Sequence, residues 1–243
     1  MLIRTSWSAP SISNWKATRE AAIADGSTPS LSISTATEWA ARDSPLDLPE
    51  RSDTADAAAV QRGLFDEHEA QVPSDHAVGD RPHADVAIID ARGSERPGGL
   101  RFGELVHAML AAVPLDAPRR DIDALAAVQG RVLAALPDEI AAAVETVDRV
   151  LRHDLLGRAR AAEQRGACRR ETPVTVTLTD GSMVEGVVDL AFEDARGWTI
   201  VDYKTDRELA MSGEDRYRRQ VALYATAVSR ATGAAAAGVL IRI

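Results

Sequence analysis

The sequence predicts an α/β fold in which helices come first, then a three-stranded meander, then a helix and a last strand, giving a mixed sheet with helices on its faces. Three features predict it. Apolar residues recur at helical spacing from Phe102 to Ala162, the period switches to alternation at Val174, and the chain closes with a strand, a helix and a strand whose crossover is expected to be right-handed.

The elements follow in order. Phe102, Val106, Met109 and Val113 mark a helix that breaks at Pro114. Asp121 or Asp123 caps a second, with Leu125, Val128, Val132 and Leu136 as its stripe; Pro137-Asp138-Glu139 opens a third carrying Ile140, Val144, Val147 and Leu151; a shorter one covers Leu155 to Ala162. Val174, Val176 and Leu178 then face one way and Thr175 and Thr177 the other, with Asp180-Gly181 as a hairpin turn. Met183 to Phe192 is the second strand, and Trp198 to Lys204, rich in β-branched and aromatic residues, is the third. Glu214 and Asp215 start a helix whose buried stripe is Val221, Tyr224, Ala225 and Val228; Thr232-Gly233 stops it, and Val239 to Ile243 is the last strand.

Residues 1–97 are rich in Ser, Asp, Ala and Pro, with one short helix expected around Trp15 to Ala24, and are expected to be linker-like; the folded domain is expected over residues 98–243. Of 243 residues, 45% are apolar and 27% charged, enough for a core built from Ala, Val and Leu. The net charge of −9 argues against bulk electrostatic coating of nucleic acid, but residues 1–100 hold 9 basic and 16 acidic side chains, so the acidity lies mostly outside the expected domain. One cysteine, Cys168, leaves no intrachain disulfide and no cysteine-ligated iron–sulfur cluster. There is no G-x-x-x-x-G-K-[ST], hence no expected ATP site, and no leader or long apolar run, hence an expected cytoplasmic location without membrane contact.

Asp202 and Lys204 stand two apart on an apolar strand and so share a face. Burying two charges there is costly unless they serve each other or a metal. Only Lys16 and Lys204 are lysine among 28 basic residues, so a compact ammonium has been kept where arginine is the habit. Asp189 sits among apolar residues on the preceding strand, with Gly186 allowing close approach, and falls near Asp202 if the two strands pair through the turn at 193–197. Two hard carboxylates there suit Mg²⁺ or Mn²⁺. Gly103 and His107 lie one turn apart on the first helix, so His107 either reaches that metal or is a satisfied core histidine. Gln220 and Tyr224 make an i, i+4 hydrogen-bonding pair, and Arg216, Arg218 and Arg219 beside them are either ligand-facing or a solvated face.

Taken together, Gly103-x-x-x-His107, Gly186-x-x-Asp189, Asp202-Tyr203-Lys204-Thr205 and Gln220-x-x-x-Tyr224 resemble the nuclease domain of RecB and AddA, a PD-(D/E)XK (restriction-endonuclease-like) core, over about residues 98–243. The resemblance implies that His107, Asp189, Asp202 and the Tyr203 backbone carbonyl bind the metal, and that Asp189, Asp202 and Lys204 are catalytic, Lys204 orienting water or stabilising the transition state. It further implies that Gln220 and Tyr224 position DNA and that Glu171 supports the site. The expected activity is metal-dependent hydrolysis of DNA, as an exonuclease on single-stranded ends in double-strand-break repair. The iron–sulfur staple of related nucleases needs cysteines this chain lacks. The N-terminal part, through Trp15, Arg19-Glu20-Ala21-Ala22 and Thr35-Ala36-Thr37-Glu38-Trp39-Ala40, resembles the segment before this nuclease in UvrD-like helicases, which implies a helicase motor in cis or in trans. The alternative expectation is a catalytically weak single-stranded-DNA-binding module of a helicase complex.

Overall fold

The computed structural model describes residues 12–27, 31–42, 46–49, 86–92, 97 and 99–243. In chain order these form α1 (Ile12–Gly26), β1 (Ile33–Thr35), α2 (Ala36–Ala41), β2 (Val86–Asp90), α3 (Leu100–Ala112), α4 (Arg119–Val132), α5 (Pro137–Arg152), α6 (Asp154–Glu163), β3 (Cys168–Thr177), β4 (Met183–Asp194), β5 (Gly197–Lys204), α7 (Asp206–Ser212), α8 (Glu214–Thr232) and β6 (Ala236–Arg242). From residue 100 the expected succession of helices, meander, helix and strand is the one that forms, with α7 as an added short helix.

Local chemistry sets several of these limits. Pro137 takes the first position of α5, and Glu139 accepts from Leu136 N at 2.7 Å and from Arg101 Nε at 2.8 Å. One carboxylate thus satisfies an orphan helix donor and ties α3 to α5. The β3–β4 hairpin turns at Gly181, φ 79°, while Asp180 Oδ1 accepts from Ser182 N at 2.8 Å. Gly233, φ 73°, ends α8 in the left-handed conformation.

The sheet has six strands in the order β1-β4-β5-β6-β2, with β3 also on β4. The meander pairs are antiparallel, whereas β5–β6, β2–β6 and β1–β4 are parallel, so the sheet is mixed as expected. One face carries α3 to α6 over a core that includes Leu105, Met109, Leu156, Phe192 and Tyr203; the other carries α2 and α8 over Trp39, Val184, Ile200, Leu223 and Tyr224. Among the described residues, no helix is long and apolar enough to cross a membrane.

Two expectations meet a different outcome. The sheet crosses residue 98, because β1 and β2 come from the segment read as linker-like, and α2 buries Trp39 against the α8 side. A three-residue strand has no period to detect, and Val86-Ala-Ile-Ile-Asp90 is a short apolar run without alternation, as parallel strands are. The rest of that segment, residues 1–11, 28–30, 43–45, 50–85 and 93–96, lies outside the described residues. Of the stripe expected on α4, Leu125 packs against the core, but Val128 and Val132 are 47% and 73% exposed and Leu136, 57% exposed, lies beyond the helix, while Ile122, Ala126 and Gly130 are buried. The small residues win because α5 comes close; a Cβ on Gly130 would lie 2.5 Å from Ile140 Cδ1.

Candidate active site

β4 turns over at Asp189. Val184 and Val188 belong to the core under α2 and α8, whereas Leu190 and Phe192, of the same parity, belong to the core under α3 to α6. β3 turns over with it: Val174 and Val176 lie on the α8 side, Cys168 packs on the α3 side, and Glu171 between them has φ 47°. Glu171 and Asp189 fall opposite one another between the ladder pairs Arg170–Leu190 and Thr172–Val188 but are not themselves paired. The register is the same on both sides, so no residue is inserted; the left-handed backbone at Glu171 interrupts the ladder at this one pair.

The other edge of β4 is interrupted at the same place. It carries β5 along residues 190–194 and β1 along residues 183–185, so residues 186–189 between them have no strand partner there among the described residues. Beyond the pair Leu190–Val201 the two strands part, and Asp189 Oδ2 enters the opening, where it accepts the Tyr203 N–H at 2.7 Å. The spacing of Asp202 and Lys204 works as expected: both are buried, 1% and 8% exposed, with Lys204 Nζ 2.8 Å from Asp202 Oδ2 and donating to the Tyr203 carbonyl at 3.1 Å. The contact with Asp202 is a buried ion pair, and apart from this ammonium Asp202 Oδ2 has no hydrogen-bond partner among the described residues.

Burial dominates the electrostatics of this centre. It pushes Asp189 and Asp202 up to about 6 against the pull of Lys204, and each carboxylate is also unfavourable to a neighbouring acid. Burial pulls the Lys204 pKa down, but Asp202 and Asp189 outweigh it and hold it above the ordinary value. Lys204 Nζ also stands 5.1 Å from the Tyr217 ring centroid, a cation–π contact.

From the opposite layer, α3 comes close at Gly103, where a Cβ would lie 3.0 Å from Thr205 Cγ2. His107 meets the Tyr203 ring edge-on with centroids 6.3 Å apart, and its Nε2 is buried without a hydrogen-bond partner. Burial, then the Lys204 charge, lowers its pKa, which favours the neutral imidazole that a metal takes. On the α8 side, Gln220 Nε2 donates to the Tyr224 hydroxyl at 3.0 Å, and a Cβ on Gly186 would lie 2.2 Å from that hydroxyl. Gly186 thus makes room for a tyrosine. Burial pushes Tyr224 up to about 12, so it keeps its proton. Of the nearby arginines, Arg216 Nε donates to Thr37 O at 3.0 Å, Arg219 donates to Ala40 O, and Arg218 forms an exposed ion pair with Glu214 at 2.8 Å. The Glu171 carboxyl, raised by burial, acts on Asp189 through its charge.

Three residues at this centre escape a reading of the sequence: Tyr217, Glu208 and Thr37. Glu208 Oε2 accepts from Thr205 N and Thr205 Oγ1, each at 2.8 Å, at the start of α7. The Thr-x-x-Glu spacing of a capping box is its signal. Thr37 lies in the Thr35–Ala40 segment that carries the helicase resemblance, but nothing local marks its contact with Gln220, which is far along the chain.

The donors present fit a divalent cation. A buried carboxylate oxygen, apart from its Lys204 ammonium, and a buried imidazole nitrogen lack hydrogen-bond partners, and a second carboxylate and a backbone carbonyl border the same opening. Among the described residues, no three His, Cys, Asp or Glu side chains converge closely enough to enclose an ion.

Residues 86–243 match the profile of the PD-(D/E)XK nuclease superfamily. A stretch of 50 residues is 50% identical to an ATP-dependent helicase/nuclease subunit from Desulforudis audaxviator strain MP104C. That match covers 19% of this chain and only 4% of the length of that relative.

Proposed function

Because the chain belongs to the PD-(D/E)XK nuclease superfamily, we propose that it hydrolyses DNA phosphodiester bonds with Mg²⁺ or Mn²⁺, as an exonuclease on single-stranded ends, in double-strand-break repair beside a UvrD-like helicase motor in cis or in trans. The observation that carries this is the parting of β4 and β5, which brings Asp189, Asp202 and Lys204 to one opening between two helical layers. Asp189, Asp202, the Tyr203 carbonyl and His107 would hold the metal, which when bound lowers the pKa of water and neutralises phosphate oxygens.

The protein's own groups do the rest. Asp202 and the Tyr203 carbonyl hold the Lys204 ammonium in place, so its charge needs no reorganisation when it orients an attacking water or faces charge developing on the phosphate. Asp189 is steadied by the Tyr203 N–H. Gln220, by its bond to Tyr224, and Tyr224 help to position the DNA strand, and Glu171 on β3 tunes Asp189 on the neighbouring β4.

The test is degradation of end-labelled single-stranded DNA by the purified chain with Mg²⁺ or Mn²⁺, with and without EDTA. Lys204→Ala is expected to lower kcat by about 10²- to 10³-fold while DNA binding persists, as when one transition-state donor is removed, and Asp202→Ala is expected to abolish cleavage. Cleavage that survives EDTA or Asp202→Ala refutes the assignment.

A further inference from the structure

The Gln220 amide, in a residue only 5% exposed, stands between two hydroxyls. Thr37 Oγ1, in the first turn of α2, donates to Gln220 Oε1 at 3.2 Å, and Gln220 Nε2 donates to the Tyr224 oxygen at 3.0 Å. The direction of this relay has a chemical consequence. The tyrosine oxygen already accepts, and among the described residues its O–H hydrogen has no protein acceptor, so that hydrogen is available to a ligand. With the amide turned over, the carbonyl would face Tyr224 and consume the hydrogen. An anion takes donors only, and the observed direction is the one that offers one.

The place where that donor points is the interrupted edge of β4. The Tyr224 hydroxyl stands over Gly186, between the strands β1 and β5 that share this edge. α2 is fixed there independently of the relay, by Arg216 Nε to Thr37 O at 3.0 Å, by Arg219 to Ala40 O, and by the buried Trp39.

We propose that Thr37 is a positioning residue: through the Gln220 amide it sets the Tyr224 hydroxyl as a hydrogen-bond donor to a phosphate oxygen of a nucleic-acid strand lying over Gly186. This rests on the nuclease function proposed above and adds to it a residue that lies before residues 86–243, the span that matches the superfamily.

The experiment compares Thr37→Val, Thr37→Ser, Tyr224→Phe and the Thr37→Val/Tyr224→Phe double variant in steady-state cleavage of a single-stranded oligonucleotide with Mg²⁺. Loss of one hydrogen bond in the relay is expected to raise KM about three- to tenfold in Thr37→Val with kcat within about twofold. Thr37→Ser keeps the hydroxyl and the wild-type KM. In the Tyr224→Phe background Thr37→Val adds nothing further, because the two act on one contact. A Thr37→Val enzyme with unchanged KM, or effects that add in the double variant, overturns the proposal. Melting temperatures of the single variants separate this from a folding defect, since a fold defect lowers Tm in Thr37→Val and reduces kcat as well. If the wild-type chain cleaves no DNA, the nuclease function fails, and the relay is judged by the NMR signals of the Gln220 side-chain amide. Because Thr37 donates to the amide oxygen, the Gln220 side-chain ¹³C carbonyl and amide ¹⁵N shifts should move in Thr37→Val and stay in place in Thr37→Ser; unchanged shifts in Thr37→Val overturn it.

Discussion

Asp202 and Lys204 show how a buried charge survives on an apolar strand, and how much of that is visible beforehand. Their parity and the scarcity of lysine mark them in the sequence, and the structure places them 2.8 Å apart. What parity cannot show is the cost. Asp189 and Asp202 are raised from 3.8 to about 6 by burial, so each binds its proton more tightly in the native chain than in the unfolded one. Their contribution to stability is therefore complete below about pH 3.8 and is lost as the pH rises through about 6. In EDTA, the melting temperature of the wild type relative to that of Asp202→Asn should fall between pH 4 and pH 7; a difference that does not change with pH would count against it. Gly186 makes the second residue-scale prediction. A Cβ there would lie 2.2 Å from the Tyr224 hydroxyl, on a ring that is 2% exposed and has nowhere to go. Gly186→Ala should cost about 1–3 kcal/mol in denaturant unfolding, the usual range for overpacking, and should raise KM.

At the scale of elements, helix caps and turns are the legible part, and the facing of a helix is not always so. Pro137, Gly181 and Gly233 act where they stand, through their own backbone geometry. The buried face of α4 depends instead on the approach of α5, and there Ala126 and Gly130 displace the bulkier Val128 and Val132 from the interior. Gly130 gives the test. Alanine should gain about 1 kcal/mol of helix propensity and lose a similar amount in moving the far end of Ile140, leaving stability nearly unchanged. Gly130→Leu cannot be absorbed that way and should destabilise by about 1–3 kcal/mol. Denaturation midpoints of the two variants check this, and equal midpoints would mean that α4 and α5 are less closely packed than the 2.5 Å approach requires.

At the scale of the whole molecule, the site is closed by segments far apart in sequence. β1 and α2 cover one end of the β4 edge and hold Gln220, and β2 adds the outer parallel strand beside β6. A fragment limited to residues 98–243 should therefore have a lower melting temperature than the full chain, because Trp39 is withdrawn from the α8 core and the β6 edge is exposed. Matched melts of the two proteins, with DNA cleavage assayed in parallel, check it; equal stability and equal activity would place the functional boundary at residue 98 after all.

The sequence by itself determined the class of fold, the order of elements from residue 100, and the identity of Asp189, Asp202 and Lys204 as candidates, because alternation, capping and the rarity of buried charge are local properties. Only the tertiary structure decided that β4 and β5 part at Asp189, that Tyr224 occupies the space left by Gly186, and that Thr37 reaches Gln220. These depend on strand register and helix approach, which are settled by contacts between residues distant in the chain, and no local pattern encodes the distance at which two such elements come to rest.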